Sequence, residues 1–266
     1  MVTLKSAREI EVMARAGAIV GQTLTLMREI LEPGMTTEDL DAAAEQFIRS
    51  HPGARPSFKG LYGFPKTLCT SVNDEIVHGI PSRKRVLREG SIVSVDVGVF
   101  LDGLHADSAV TLGVGPISPP ARRLLEVTEA ALMAGIAQAV PGLHVGDIGH
   151  AVQQVAEAAG FGVVRELVGH GIGAQFHEEP QVPNYGVPGR GPRLVEGMTI
   201  AIEPMITAGH HATRTLPDRW TVVTADGSLS AHFEHTVAIT REGPRILTAR
   251  APEAAAAPPP AAGREG

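Results

Sequence analysis

Ile92-Val93-Ser94-Val95-Asp96-Val97-Gly98-Val99 is β-branched and mostly apolar, and it reads as a β-strand buried on both faces. A carboxylate without a partner is very costly to bury, so Asp96 in that strand needs a cation or a proton. An Asp102-Gly103 turn signal follows, and the chain returns as a second strand through Leu104 to Leu112. In that hairpin Asp107 comes opposite Asp96 to within two residues of register. Two carboxylates so close repel each other unless a metal lies between them.

The pattern recurs further along the chain. Glu89-Gly90 leads into the strand that ends at Asp96, and Glu196-Gly197, 107 positions on, leads into an apolar strand over 198–206 that carries Glu203. Pro33-Gly34-Met35 recurs after 108 positions as Pro141-Gly142-Leu143, and Asp39-Leu40 as Asp147-Ile148. His78-Gly79-Ile80 recurs as His170-Gly171-Ile172, there at a spacing of 92. Two nearly equal offsets in the same order predict an internal duplication, with α+β halves over roughly 5–115 and 116–248 packed as one pseudo-symmetric domain, 1–250. Matching positions converge on the pseudo-twofold axis, which brings Asp96 with Glu203, and His78 with His170, to a central cleft.

Four helices accompany the strands. Ser6 caps one whose apolar side recurs through Ile10, Met13, Gly17, Val20, Leu24, Met27 and Leu31, before Pro33-Gly34 ends it. The next runs from the Thr36/Thr37 cap past Leu40 and Ala44. A third starts at Ser118-Pro119-Pro120 and reaches Val140, and a fourth spans about 146–159. The segment 251–266 has Ala or Pro at 11 of 16 positions and is expected to be a disordered tail.

Composition sets outer limits on function. The chain has 266 residues, 43% of them apolar, enough to build a core. No run of roughly 18 apolar residues is present to span a membrane, and the charged N-terminus lacks a signal-peptide core. A single cysteine, Cys69, excludes an intramolecular disulfide framework and a cysteine-based zinc site, and points to a reducing, cytoplasmic compartment. A net charge of −6 gives no footprint for nucleic acid, and the basic run Arg83, Lys84, Arg85, Arg88 reads as a solvated loop.

The second half adds further donors. Glu234 lies in a strand read over 232–239, and His170 sits among glycines that let backbone approach a ligand closely. Asp96, Asp107, Glu203, Glu234 and His170 together make four carboxylates and one imidazole. Four negative charges balance two divalent cations, and an oxygen-rich set with one nitrogen suits manganese, iron, cobalt or zinc. Two such ions about 3.5–4 Å apart share a water and lower its pKa, so the reaction expected is hydrolysis. Other catalytic plans lack their motifs: there is no His-Glu-x-x-His, Gly-x-Ser-x-Gly, Walker loop or Gly-x-Gly-x-x-Gly.

Asp96 and Asp107, Gly169-His170-Gly171-Ile172-Gly173, Glu203-Pro204 and Phe233-Glu234-His235-Thr236 resemble the motifs of the methionine aminopeptidases of the M24 metallopeptidases. So do Phe64-Pro65-Lys66, Thr70-Ser71-Val72-Asn73 and His78-Gly79-Ile80-Pro81, and the resemblance covers about residues 5–248. With no insertion between His177 and Glu203 the chain looks like type I, without the zinc-binding extension of some members. The resemblance implies the pita-bread fold: a central antiparallel sheet from two pseudo-symmetric halves, helices outside, a dinuclear site on the concave side. It implies that Asp96 chelates one metal, that His170 and Glu203 bind the other, and that Asp107 and Glu234 bridge them. His78 and His177 are implied to contact substrate at the scissile bond, His177 stabilising the tetrahedral intermediate. Glu203 is implied to pass a proton from the metal-bridging water to the leaving amine. The loop at Asn73 and Glu75 matches one that holds a monovalent cation.

Phe64, Cys69, Phe176 and Trp220 match family positions that line a methionine pocket, whereas Phe58 and Leu61 replace the cysteine and tyrosine of many relatives. The expected activity is removal of the initiator methionine from nascent polypeptides with a small second residue, by a cytoplasmic monomer in transient contact with ribosomes. Two alternatives stand beside it. One is an Xaa-Pro aminopeptidase or dipeptidase of the same fold, although those usually carry an extra N-terminal domain and here about five residues precede the first helix. The other is a non-catalytic pita-bread binding protein, although such proteins lose ligands and this chain keeps all five.

Overall fold

In the computed structural model, which describes residues 2–250, four helices flank a set of antiparallel sheets. Helix α1 (Ala7–Ile30) starts where the Ser6 hydroxyl accepts from the Glu9 N–H and Glu9 caps back onto Ser6. Helix α2 (Thr37–Arg49) repeats that device with Asp39, and at helix α4 (Val145–Ala158) Asp147 supplies the return half of it; the two carboxylates accept the N–H groups of Thr36 and His144 at 2.7 Å each. Helix α3 (Pro119–Ala137) ends three residues short of Val140. Its last turn tightens through Gln138 N–H to the Gly135 carbonyl, and Val140 is pushed out of helical backbone by the proline that follows it. The Ala/Pro-rich segment 251–266 lies outside the described residues.

The two halves repeat each other bond for bond at the turns. Gly34 N–H donates to the Leu87 carbonyl at 2.8 Å and Gly142 N–H to that of Leu194 at 2.9 Å. In return Leu87 N–H reaches Met35 and Leu194 N–H reaches Leu143, at 2.8 and 2.7 Å. Both turns need a residue at φ near +97°, 97° at Gly34 and 96° at Gly142, where only glycine is unstrained. The repeated Pro-Gly pairs are therefore paired docking points for the loops that lead into the strands of Asp96 and Glu203.

In the first half the strand Ile92–Leu101 pairs along its whole length with Leu104–Gly113, and on its other edge with Leu68–Val72 and Arg55–Pro56. In the second half Thr199–Ile202 lies between Gly169–Gly171 and His235–Thr240, with Glu178–Val182 and Gly243–Ile246 outermost. The halves meet along Leu104–Gly113. Thr236 Oγ1 accepts from Asp107 N–H at 2.9 Å and donates to the Asp107 carbonyl at 2.8 Å. Thr111 Oγ1 holds the backbone of His232 in the same way, accepting at 2.8 Å and donating at 2.9 Å. Hydroxyls thus stand beside backbone bonds at the joint, and they bring the strand of Asp107 beside the segment of Glu234.

Helix α1 lies on the Ile92–Leu101 and Leu104–Gly113 strands, and α3 packs on α4. One hydrophobic cluster takes Val20, Leu24, Val95 and Val97 from the first half with Leu132, Ile148, Ile200 and Ile202 from the second. Each such side chain contributes about 1.5–3 kcal/mol on burial. Gly17, at an apolar position of α1, instead lets the helix approach the backbone of Leu247, and Gly21 does the same at Ala249.

Candidate active site

The hairpin and the broken strands set the positions of the carboxylates. Asp96 is paired with Ala109 and Asp107 with Gly98, so the two aspartates are diagonal neighbours on one face of the hairpin. The segments 198–206 and 232–239, expected as continuous strands, are both interrupted. Thr199–Ile202 stops before Glu203-Pro204 and Met205–Thr207 begins after it; Ser230–His232 and His235–Thr240 flank Phe233-Glu234. Ile202 pairs with His235 and Met205 with His232, so one register runs across the gap and sets Glu203 opposite Glu234. Pro204 has no N–H to give the ladder, and the Glu234 N–H turns to the Ala109 carbonyl at 3.0 Å instead. The break lets two opposed carboxylates leave the sheet plane and meet the aspartates.

The resulting cluster is buried and short of partners. Asp107 and Glu234 are 3% and 1% exposed. Oδ1 of Asp96, Oδ1 of Asp107 and Oε1 of Glu234 have no hydrogen-bond partner among the described residues. Burial, followed by the Asp107 charge, pushes the carboxyls of Asp96, Glu203 and Glu234 well above the usual range. Burial also raises Asp107, to about 7, against hydrogen bonds from Asp96 and the Ser108 N–H that hold it down. Groups that cannot all ionise together in a dry site are what divalent cations relieve.

His170 is prepared for the same task. Its Nδ1–H donates to the Gly171 carbonyl at 2.8 Å, which fixes the tautomer and leaves the Nε2 lone pair free. Donor atoms of Asp107, His170 and Glu234 all lie within 4.8 Å of one another. Nε2 of His170 stands 3.7 Å from Glu203 Oε1. The orphaned oxygens and the free nitrogen therefore fit divalent-metal binding.

One wall of the pocket is charged and the other aromatic. Asp96, Asp107, His170, Glu203 and Glu234 line it together with His78, His177, Phe64, Cys69, Phe176 and Trp220, whereas Asn73 and Glu75 lie outside this cavity. Phe64 meets Trp220 edge-on at 5.1 Å, and Phe58 meets Phe176 at 5.3 Å. Cys69 pairs with Asp96 across the sheet, and burial raises its thiol, so it is a small apolar wall and no nucleophile. Gly98 leaves room for this wall: a Cβ there would press on Phe176 at 2.9 Å and Phe58 at 3.1 Å. Burial lowers His78 to about 4 and also lowers His177, so both are neutral donors near pH 7. Tyr62, exposed at the rim, stacks on His177 at 5.7 Å.

Two readings of the sequence need correction. His78 and His170 are not structural counterparts: His78 sits in a turn at φ 60°, while His170 lies in a strand next to Thr199–Ile202. The strand in the matching place of the first half is Leu68–Val72, so the shared His-Gly-Ile is coincidental even though both imidazoles reach the pocket. The glycines around His170 serve neighbouring backbone and not a ligand. A Cβ on Gly169 would fall on the Ala201 carbonyl and one on Gly171 on that of Glu179. Gly169→Ala is expected to destabilise the protein by about 1–3 kcal/mol, because backbone atoms cannot step aside; denaturant unfolding checks it. His232, which no sequence motif marks, is buried against Glu203. The strand alternation was the available signal, since residues 232 and 234 share a face.

An oxygen-rich donor set with one imidazole is the chemistry of a hydrolytic divalent-metal centre. The chain belongs to metallopeptidase family M24, whose model matches residues 11–241. It is 54% identical over 248 residues to a methionine aminopeptidase of Clostridium perfringens, covering 93% of this chain and 99% of that one. It superposes on the crystal structure of a methionine aminopeptidase from Thermotoga maritima with a TM-score of 0.91, at 44% identity and with 93% and 99% of the two chains covered. A prolidase from Pyrococcus horikoshii shares the fold alone, at 22% identity and a TM-score of 0.73, and 63% of its length is covered.

Proposed function

We propose that this enzyme removes the N-terminal methionine from nascent polypeptides whose second residue is small. The observation that carries the reading is an aromatic, apolar pocket opening directly onto the carboxylate cluster. An unbranched, polarizable thioether suits aromatic edges such as those of Phe64 and Trp220. The match over the full length of the methionine aminopeptidases supports this over Xaa-Pro cleavage, since the prolidase neighbour is only partly covered. The full set of five donors speaks against a non-catalytic role.

Asp96 would hold one divalent ion, His170 and Glu203 the other, with Asp107 and Glu234 between them. When bound, such ions supply Lewis acidity and activate water. The chain's own groups do the rest. Phe64, Phe176 and Trp220 seat the side chain. His78 and His177, neutral, donate to the peptide group, His177 to the oxygen on which negative charge develops. Glu203 takes the proton of the attacking water and gives it to the leaving amine. A monovalent cation at Asn73 and Glu75 belongs to the same reading, although the Asn73 carbonyl already accepts from Ser230 N–H at 2.9 Å. Cobalt, manganese, iron and zinc are the candidate metals. A monomer acting in the cytoplasm, in passing contact with ribosomes, completes the proposal; no described helix is long and apolar enough to cross a membrane.

A panel of synthetic peptides tests the assignment with protein loaded with each metal in turn. Met-Gly and Met-Ala substrates are expected to exceed Met-Lys and Met-Leu by at least about tenfold in kcat/KM, because a narrow cleft rejects large side chains sterically. Equal turnover of all four removes the small-residue rule, and preferential cleavage of Xaa-Pro peptides replaces the assignment.

A further inference from the structure

Behind the Glu203 carboxylate lies an imidazole that the reaction as derived leaves unused. His232 is 2% exposed, and its Nε2 stands 3.7 Å from Glu203 Oε2, while His170 Nε2 stands 3.7 Å from Oε1 on the other side. The Glu203 carboxylate is therefore flanked by two imidazoles, one facing each oxygen. His232 is not among the residues that line the pocket, so it acts from behind.

The position of His232 is fixed. Its backbone is clasped by Thr111 through both N–H and carbonyl, and it pairs with Met205 in the sheet. The far end of Glu203 is fixed too, by Asn184 Nδ2 donating to its carbonyl at 3.0 Å. What remains open is the side-chain contact: Nε2 of His232 is buried without a hydrogen-bond partner among the described residues. An unsatisfied buried donor costs about 1–3 kcal/mol, and a small rotation of the carboxylate closes the gap. A neutral imidazole carries one N–H, and Glu203 ionised as a metal ligand only accepts, so in the loaded site a bond between them places the proton on Nε2.

We infer that His232 is a positioning residue for Glu203, its Nε2–H donating to Oε2 and turning Oε1 toward His170 and the metal pocket. The inference rests on the metal-centre reading above and deepens it. Outer partners of a ligating carboxylate typically change metal affinity by about 10–100-fold when removed.

The test is titration of the metal-free full-length protein with Mn2+, followed by calorimetry, for the wild type, His232→Leu and His232→Gln. The wild type is expected to bind two equivalents. His232→Leu is expected to weaken one of them by about 10–100-fold, and His232→Gln, whose amide keeps a donor, to recover most of the loss. Wild-type affinity in His232→Leu overturns the inference, as does a glutamine variant no better than leucine, since that pattern marks packing alone. Nitrogen-15 NMR of the Zn2+-loaded wild type gives a readout independent of any variant's folding: the Nε2–H tautomer of His232 supports the inference and Nδ1–H overturns it. A wild type that takes up no Mn2+ and no Zn2+ instead overturns the metal centre itself.

Discussion

Asp107→Asn is expected to lower kcat/KM for a Met-Ala peptide by on the order of 10³-fold and, in the metal-free protein, to raise the melting temperature. The two effects have one cause. Asp107 sits at the centre of the carboxylates, and its charge is a named cause of the raised pKa of Asp96, Glu203 and Glu234. Its own burial pushes it up to about 7, which marks an anion held where it is poorly solvated. Asparagine keeps the shape, can still accept from the Ser108 N–H, and gains an amide donor for a neighbouring carboxylate. The metal-free fold is thereby relieved by about 1–3 kcal/mol. A neutral amide cannot take the place of an anion shared by two cations, so several kcal/mol of transition-state stabilisation is lost, at 1.36 kcal/mol for each tenfold in rate, which is roughly 10³. Steady-state kinetics and scanning calorimetry after EDTA treatment read the two effects. A variant of wild-type activity, or a metal-free variant less stable than the wild type, would falsify the argument.

How far the sequence can be read differs from residue to residue. Asp96 was legible because an ionisable group inside an unbroken apolar strand has few explanations. The repeated Pro-Gly turns were legible because left-handed backbone needs glycine, and they do form matching hydrogen bonds in both halves. The pairing of Asp107 was legible only to within two residues, since a turn signal fixes a hairpin but not its register. The breaks at Glu203-Pro204 and Phe233-Glu234 were missed because apolar periodicity outweighed Pro204, whose missing N–H was the one local warning. His170 lies in the cavity with the carboxylates, but its glycines have a different task from the one read from sequence, since which backbone lies across from a glycine is a tertiary fact. His177 carries no local signal of its own and was found through resemblance alone. His232 went unremarked because a histidine reads as functional only once its neighbour is known, and Glu203 is 29 positions away in the chain.

The stability that divalent ions confer on this protein is expected to grow as pH rises from about 6.5 to about 8. The metal-free baseline combines two opposed sets of groups. Burial raises the carboxyls, so below their unfolded pKa they cost the fold nothing. As pH rises above it, unfolded chains release protons that the fold retains, and stability falls until the folded pKa is passed. That decline covers the window from about 4 to about 7 for Asp107, and Asp96, Glu203 and Glu234, raised by the same burial, act in the same direction. The buried histidines act the other way. His78 and His105 are lowered to about 4, and His170 and His232 to about 3, so between those values and 6.5 the unfolded chain binds protons that the fold refuses, and stability rises with pH. Below 6.5 the two sets oppose each other. At 6.5 the unfolded histidines are still half protonated and shed that remainder by about 7.5, so the two sets oppose each other there as well. Each proton difference is worth about 1.4 kcal/mol per pH unit, and in the metal-free protein the opposed contributions partly offset one another between pH 6.5 and 8. Divalent ions need the same carboxylates deprotonated, so the stabilisation they confer grows over that interval. Denaturant unfolding at pH 6.5, 7.2 and 8.0, with EDTA or with saturating Mn2+, gives both slopes. Parallel curves that differ only by a constant offset would mean that the cations do not bind through these carboxylates.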